Sequence, residues 1–148
     1  MIKCILINHM KNEFVPDVGD FNRWLSVLKY DGNAELNVKI ATECEMRNFN
    51  KLYKNQDKIS DTLAFPFENL ILDKKVILGD IAMCAKKINN DSIKFNKEKT
   101  DRWAHLVIHS ALHILGYKHD SEENQKNMEN IEIDILKKLD ILNPYEYI

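Results

Sequence analysis

HLVIHSALHILGYKHD (residues 105–120) holds four of the five histidines in this 148-residue chain. Its polar skeleton is His109, three residues, His113, two residues, Gly116, two residues and His119. That is the ligand spacing of a three-histidine zinc protease. The position after the first histidine, where such a protease carries its glutamate base, is Ser110.

From about Thr100 to Leu115 the sequence has no Gly or Pro, and Leu106, Val107, Ile108, Leu112 and Ile114 surround most of a helical circumference. A helix apolar on most sides belongs in the middle of a domain. Residues four apart on it differ by about 40° in direction and about 6 Å in rise, so His109 and His113 project as a pair able to grip one ion. His105 and His113 are about 12 Å apart along the axis, too far to share that ion comfortably. Gly116 is a C-terminal cap that lets the chain reverse and bring His119 back towards the pair. Three neutral nitrogens leave a fourth tetrahedral position open, the catalytic rather than the closed structural pattern. The expectation is one zinc ion per chain on His109, His113 and His119. His105 reads as a packed or supporting neighbour, or as a substrate contact. With Ser110 in place of the glutamate, peptide hydrolysis loses its base. An anionic substrate such as a phosphodiester needs an electrophile and positioned cations instead.

Outward from this helix, KCILIN (3–8) and LNVKIAT (36–42) read as strands. Between them, residues 20–30 place Phe21, Trp24, Leu25 and Leu28 at helical spacing, with Asp20 as cap. Residues 42–54 open on a capping box of Thr42 and Glu45, with Met46, Phe49 and Tyr53 on the buried face. DTLAFPF (61–67) reads as extended, because Pro66 disfavours helix before it. Residues 75–88 begin as a strand, with a bulge or turn at Gly79-Asp80. Ser121 starts a last helix with Met128, Ile131, Ile135, Leu139 and Leu142 on one face and an acidic outer face. The expected class is α+β: a small mixed sheet with helices, and the metal-binding helix central. Residues 1–148 are expected to form one domain.

Composition narrows the function classes. The chain is 45% hydrophobic and 30% charged, as in ordinary globular proteins. No apolar run approaches the roughly 20 residues that span a bilayer, and the start lacks a signal-peptide pattern, so no membrane partner is expected. Cys4, Cys44 and Cys84 are odd in number and far apart, which fits a reducing cytoplasm. Residues 45–118 carry thirteen positive and nine negative side chains, whereas residues 119–148 carry three and eight. The basic middle segment hints at an anionic partner.

Several stretches together resemble the YbeY family of bacterial endoribonucleases, ribosomal RNA maturation factors. Residues 105–119 are similar to its signature H-x-x-V-H-G-x-L-H-L-L-G-Y-D-H. MRNFNKLYKNQDKISDTLAFPF (46–67), LGDIAMC (78–84) and MENIEIDILKKLDILNPY (128–145) resemble three further family stretches. The match runs from about residue 36, and residues 1–35 match loosely. The resemblance implies a small mixed sheet with helices and ligands at His109, His113 and His119. It also implies metal-dependent cleavage of single-stranded RNA, in maturation of the small-subunit ribosomal RNA 3′ end and in ribosome quality control. Four positions depart from the family pattern. Lys54 replaces an arginine thought to hold the substrate phosphate, Lys118 an aspartate, Ser110 a glycine and Ile59 a proline. Lys54 keeps the charge but lacks the bidentate fork.

The sequence therefore reads as a cytoplasmic, zinc-dependent endoribonuclease whose partners are single-stranded RNA, small-subunit ribosomal RNA and the small ribosomal subunit. Lys54 is its candidate catalytic residue, stabilising charge on the phosphoryl group. Lys86, Lys87, Lys94, Lys97, Lys99 and Arg102 are candidate contacts along the RNA backbone. Asp61 and Asp80 are candidate general bases, or turn and cap residues. The rival readings are a ribosome-assembly factor with a structural zinc and a three-histidine metalloprotease.

Overall fold

A computed structural model describes residues 1–146. Four strands form one mixed sheet: β1 (Ile2–Ile7), β2 (Ala34–Ala41), β3 (Thr62–Leu72) and β4 (Lys75–Cys84), in the order β1-β2-β4-β3. β1 and β2 are parallel, as are β2 and β4, while β3 returns antiparallel to β4 and forms an edge. Five helices complete the chain: α1 (Val18–Leu25), α2 (Glu43–Lys54), α3 (Ala85–Lys94), α4 (Lys99–Ile114) and α5 (Glu122–Lys138). This is the expected mixed α+β architecture. No helix among the described residues is long and apolar enough to cross a membrane.

Strand alternation divides the apolar residues between two faces. Leu36, Val38 and Ile40 of β2 and Ile81 and Met83 of β4 join the main core with α1, α3, α4 and α5. Ala41, Leu63, Ala82 and Cys84 face the other way, under Met46 of α2. α4 is the central helix: Trp103 through Ile108 are all buried, as are Ser110, Ala111, Leu112 and Ile114. It packs against β3, β4, α1, α3 and α5. Burying a Leu or Ile side chain is worth about 1.5–3 kcal/mol, so these contacts hold α4 far more firmly than helix propensity does.

Local differences from the sequence reading have plain causes. α1 is capped by Asp17, not Asp20. Asp20 is the third helical residue, whose carboxylate accepts from the Asp17 N–H while Asp17 accepts from the Asp20 N–H. α1 stops at Leu25, and Leu28 is buried from the loop beyond it. In α2 the Thr42–Glu45 capping box forms as expected. Its buried residues are Met46 and Asn50, Phe49 is half-buried, and Tyr53 is 61% exposed. Leu142 lies beyond α5 and is exposed, because the chain leaves the helix at Leu139.

The irregularity expected at Gly79-Asp80 falls just before Asp80 in the β2–β4 ladder, where β4 carries one extra residue, while the β3–β4 ladder shifts on the β3 side, between Pro66 and Leu70. A Cβ at Gly79 would come within 2.7 Å of Ile114 Cδ1 and 2.5 Å of the Phe65 carbonyl oxygen. Only glycine lets the end of α4 lie this close to the sheet.

Candidate metal centre

The last turn of α4 explains how three separated histidines meet. After Leu115 the chain takes a left-handed step at Gly116, with φ of 103°. The Tyr117 N–H then donates to the Leu112 carbonyl and the Gly116 N–H to that of His113, both at 3.0 Å. This is a Schellman closure, and it turns the following residues back over the helix. It also aims the Tyr117 carbonyl at His113, whose Nδ1 donates to it at 3.1 Å.

His109, His113 and His119 each place a ring nitrogen within 4.8 Å of the other two, a group that can hold a metal ion. The Nε2 atoms of His109 and His113 are 3.1 Å apart. Two nitrogens on one tetrahedral zinc, each about 2.0–2.1 Å from it, lie about 3.3 Å apart, so the pair fits such an ion. The other nitrogen of each ring is engaged elsewhere. His109 Nδ1 donates to Glu132 Oε1 at 2.5 Å, and His113 Nδ1 to Tyr117. Both Nε2 lone pairs therefore face one point, an arrangement that a cation relieves and that neutral imidazoles otherwise avoid. Burial, helped by the neighbouring His109 and His119, pushes His113 below the usual histidine range and favours the neutral, ligating form.

Glu132 is the functional residue that the sequence reading missed. It is fully buried in α5 and receives hydrogen bonds from His109, from His105 Nε2 at 3.1 Å, and from the Tyr145 hydroxyl. Burial alone would raise its carboxyl, but the bonds from His105, His109 and Tyr145 outweigh this and bring it down from 4.5 to about 2. Burial, with the bond to Glu132, pushes the Tyr145 phenol well above its ordinary range, so it stays a donor. The signal was present in the sequence. Glu132 stands four residues after Met128 and three before Ile135, inside the apolar stripe and not on the acidic outer face.

His105 is buried on the same carboxylate, and Arg102 Nη1 approaches its Nδ1 at 3.5 Å. His105, His109 and Glu132 also cluster closely enough to hold an ion, but mutual hydrogen bonds already use their facing atoms. The first trio is the better donor set.

The histidines open into a cavity of about 800 Å³ between α4, β3 and the end of α2. Lys54, the last residue of α2, lines it together with Lys118, Asp61 and Ser110. Lys54 is placed by Asn50, whose buried amide donates to the Lys58 carbonyl at 2.9 Å and lies 3.0 Å from Ser60 Oγ. Those bonds fold the following loop back under α2. Asp61 is held by Arg102 Nη2 at 3.1 Å. Ser110 is buried with its hydroxyl 2.9 Å from that of Thr62, tying α4 to β3.

Other candidates fall elsewhere. Asp80 points to the opposite sheet face, where it accepts from Asn37 at 2.9 Å, so it is no base for this cavity. The expected row of backbone-binding cations does not line the cavity either. Lys86 pairs with Glu43 and Lys87 with Asp91, both at 3.1 Å, and Arg102 pairs with Asp61.

Replacing Glu132 tests its place behind His109. Glu132→Gln should weaken metal affinity about 10–100-fold, the usual cost of losing a ligand's carboxylate partner. Titration of the stripped protein with metal reads this directly. The carboxylate also predicts an acid dependence in the metal-free chain. Its folded-state value lies below its unfolded one, so its contribution is complete above about pH 4.5 and is lost as pH falls towards 2. The amount is on the order of 3 kcal/mol, and denaturation of Glu132→Gln across this range should lack that loss.

The profile of the family described as Endoribonuclease YbeY matches residues 12–140. The relative named Endoribonuclease YbeY from Buchnera aphidicola subsp. Schizaphis graminum is 35% identical over 147 residues, covering 98% of this chain and 93% of its own. The one from Buchnera aphidicola subsp. Cinara cedri is 38% identical over 138 residues, 91% of this chain and 88% of its own. That of Ruthia magnifica is 38% identical over 114 residues, 77% and 79%. Among solved structures, the solution structure of a Thermotoga maritima protein aligns over 99% of this chain and all of that one, with a TM-score of 0.55 at 21% identity. That likeness supports the fold alone.

Proposed function

This chain belongs to the Endoribonuclease YbeY family, and on that premise we propose that it is a zinc-dependent, single-strand-specific endoribonuclease. Its proposed role is late maturation of the small-subunit ribosomal RNA 3′ end and ribosome quality control, in the cytoplasm and on the small ribosomal subunit, through one domain. The observation that carries the reading is the convergence of His109, His113 and His119 in an open cavity whose wall includes Lys54.

The donor set suits the ion: three imidazoles, two with their second nitrogen already committed, and an open side. A bound zinc ion supplies Lewis-acid polarisation of a phosphoryl oxygen and lowers the pKa of water. The chain's own groups do the rest. Glu132 keeps the His109 ring oriented, and the Tyr117 carbonyl does the same for His113. The Lys54 ammonium offsets negative charge that grows on the phosphoryl oxygens. Asp61, with one oxygen on Arg102, keeps its other oxygen to accept a proton. Ser110 faces Thr62 and supplies no base, which disfavours peptide hydrolysis.

Metal-loaded protein should cut single-stranded RNA, spare duplex RNA, and leave casein intact. Gel analysis of the three substrates, with a stripped control, checks this. Casein cleavage would restore the protease reading. Metal binding without any RNA cleavage would favour the assembly-factor reading.

A further inference from the structure

A second cleft, of about 330 Å³, lies on the sheet face opposite the histidines. Phe49, Tyr53, Phe65 and Phe67 surround it, with Asn37 and Asp80 in its floor. The rings are arranged edge to face: Tyr53 and Phe65 are 5.3 Å apart at 66°, and Phe49 and Phe65 are 6.4 Å apart at 77°. Such packing leaves ring faces open, and Tyr53 is 61% exposed. Lys39 lies over Phe49 at 5.6 Å and is paired with Glu45 at 3.0 Å, so the face of Phe49 is covered and the open stacking surface is that of Tyr53.

The floor is polar. The Asn37 amide donates to one Asp80 oxygen at 2.9 Å, and the second carboxylate oxygen has no partner among the described residues. An apolar peptide or lipid chain has no use for that acceptor. An unpaired base does, because its face stacks on aromatic rings while its edge presents N–H donors. Guanine offers two adjacent donors to a carboxylate. Uracil offers one, flanked by carbonyls that a carboxylate repels.

The cleft and the histidine cavity lie on the two sides of β3, flanked by adjacent residues. Tyr53 lines one and Lys54, the next residue, lines the other. Along β3, Phe65 and Phe67 face the cleft while Ala64 and Pro66 face the histidines. Because β3 is an edge strand, a single strand of RNA can pass round it from one side to the other. We propose that this cleft is a nucleobase subsite, taking an unpaired, donor-bearing base beside the phosphate that is cut. It rests on the endoribonuclease reading.

The test is fluorescence anisotropy of the metal-loaded protein with nuclease-resistant 2′-O-methyl phosphorothioate octamers, one of uridine and one containing guanine. Tyr53→Ala should weaken binding of the guanine octamer about tenfold, as expected for one lost stacking partner. Asp80→Asn should abolish the preference for guanine over uridine. Metal content should stay unchanged in both. Because these octamers are not cut, the readout is independent of cleavage. If wild type fails to cut RNA yet these binding changes appear, the subsite stands and the nuclease reading falls. If wild type cuts RNA and Tyr53→Ala binds like wild type, the subsite is wrong. If sedimentation instead shows Tyr53→Ala turning a dimer into monomers at unchanged RNA affinity, the occupant is a second copy of the chain.

Discussion

A His113→Ala variant should keep its fold, lose its metal, and cleave single-stranded RNA at least about 10³-fold more slowly than wild type. The size follows from the several kcal/mol of charge stabilisation that a Lewis acid supplies, since each 1.36 kcal/mol is worth tenfold in rate. His113 is the sharpest position because it sits between the other two, with ring centroids 4.7 Å from His109 and 4.6 Å from His119. It is only half-buried at the end of α4, so alanine there removes donor atoms without opening the core. His109→Ala and His119→Ala should likewise empty the site. His105→Ala should lower occupancy much less, because His105 reaches the centre only through Glu132. Elemental analysis and single-turnover cleavage on all four variants decide the matter. Equal metal loss from His105→Ala would move the ion to the neighbouring trio of His105, His109 and Glu132.

Lys54→Ala should slow cleavage about 10²-fold, the low end for removing one electrostatic stabiliser. RNA affinity should change much less, since charge concentrates on the phosphoryl oxygens mainly in the transition state. Zinc content should not change, because Lys54 touches no ligand. Lys54→Arg should match or exceed wild type, as a guanidinium pairs two phosphate oxygens at once. Lys54 also ends α2, where a cation favours the helix dipole by about 0.3–1 kcal/mol. If that were its whole role, Lys54→Ala would lower the melting temperature slightly and cut RNA at the wild-type rate. Rate, affinity and melting temperature on the same two variants separate the two roles.

The clustering of His109, His113 and His119 was legible because its geometry is local. The spacing of His109 and His113 is a property of any α-helix, and Gly116 announces the turn that returns His119. The reach of α4 was legible for the same reason, from an apolar pattern covering most of its circumference. Asp61 and Asp80 were indistinguishable as bases, because a strand shows its alternation but not which face meets which helix. Of the cations of α3 and α4 read as a track for RNA, Lys87 meets Asp91 one turn on in the same helix, whereas Lys86 meets Glu43 of α2 and Arg102 meets Asp61 before β3. A linear sequence does not show these last two pairings.

By itself, then, the sequence determined the elements whose causes lie within one turn or one strand: the α2 capping box, the α4 histidine pair, the Gly116 reversal, and the extended run before Pro66. Only the tertiary structure decided the rest. It brought Glu132 from α5 onto His105 and His109, set Lys54 in the cavity wall, and sent Asp80 to the far face of the sheet. The physical reason is that a buried carboxylate must find its donors wherever the chain packs them, across 23 residues for His109, and packing distance is independent of sequence distance.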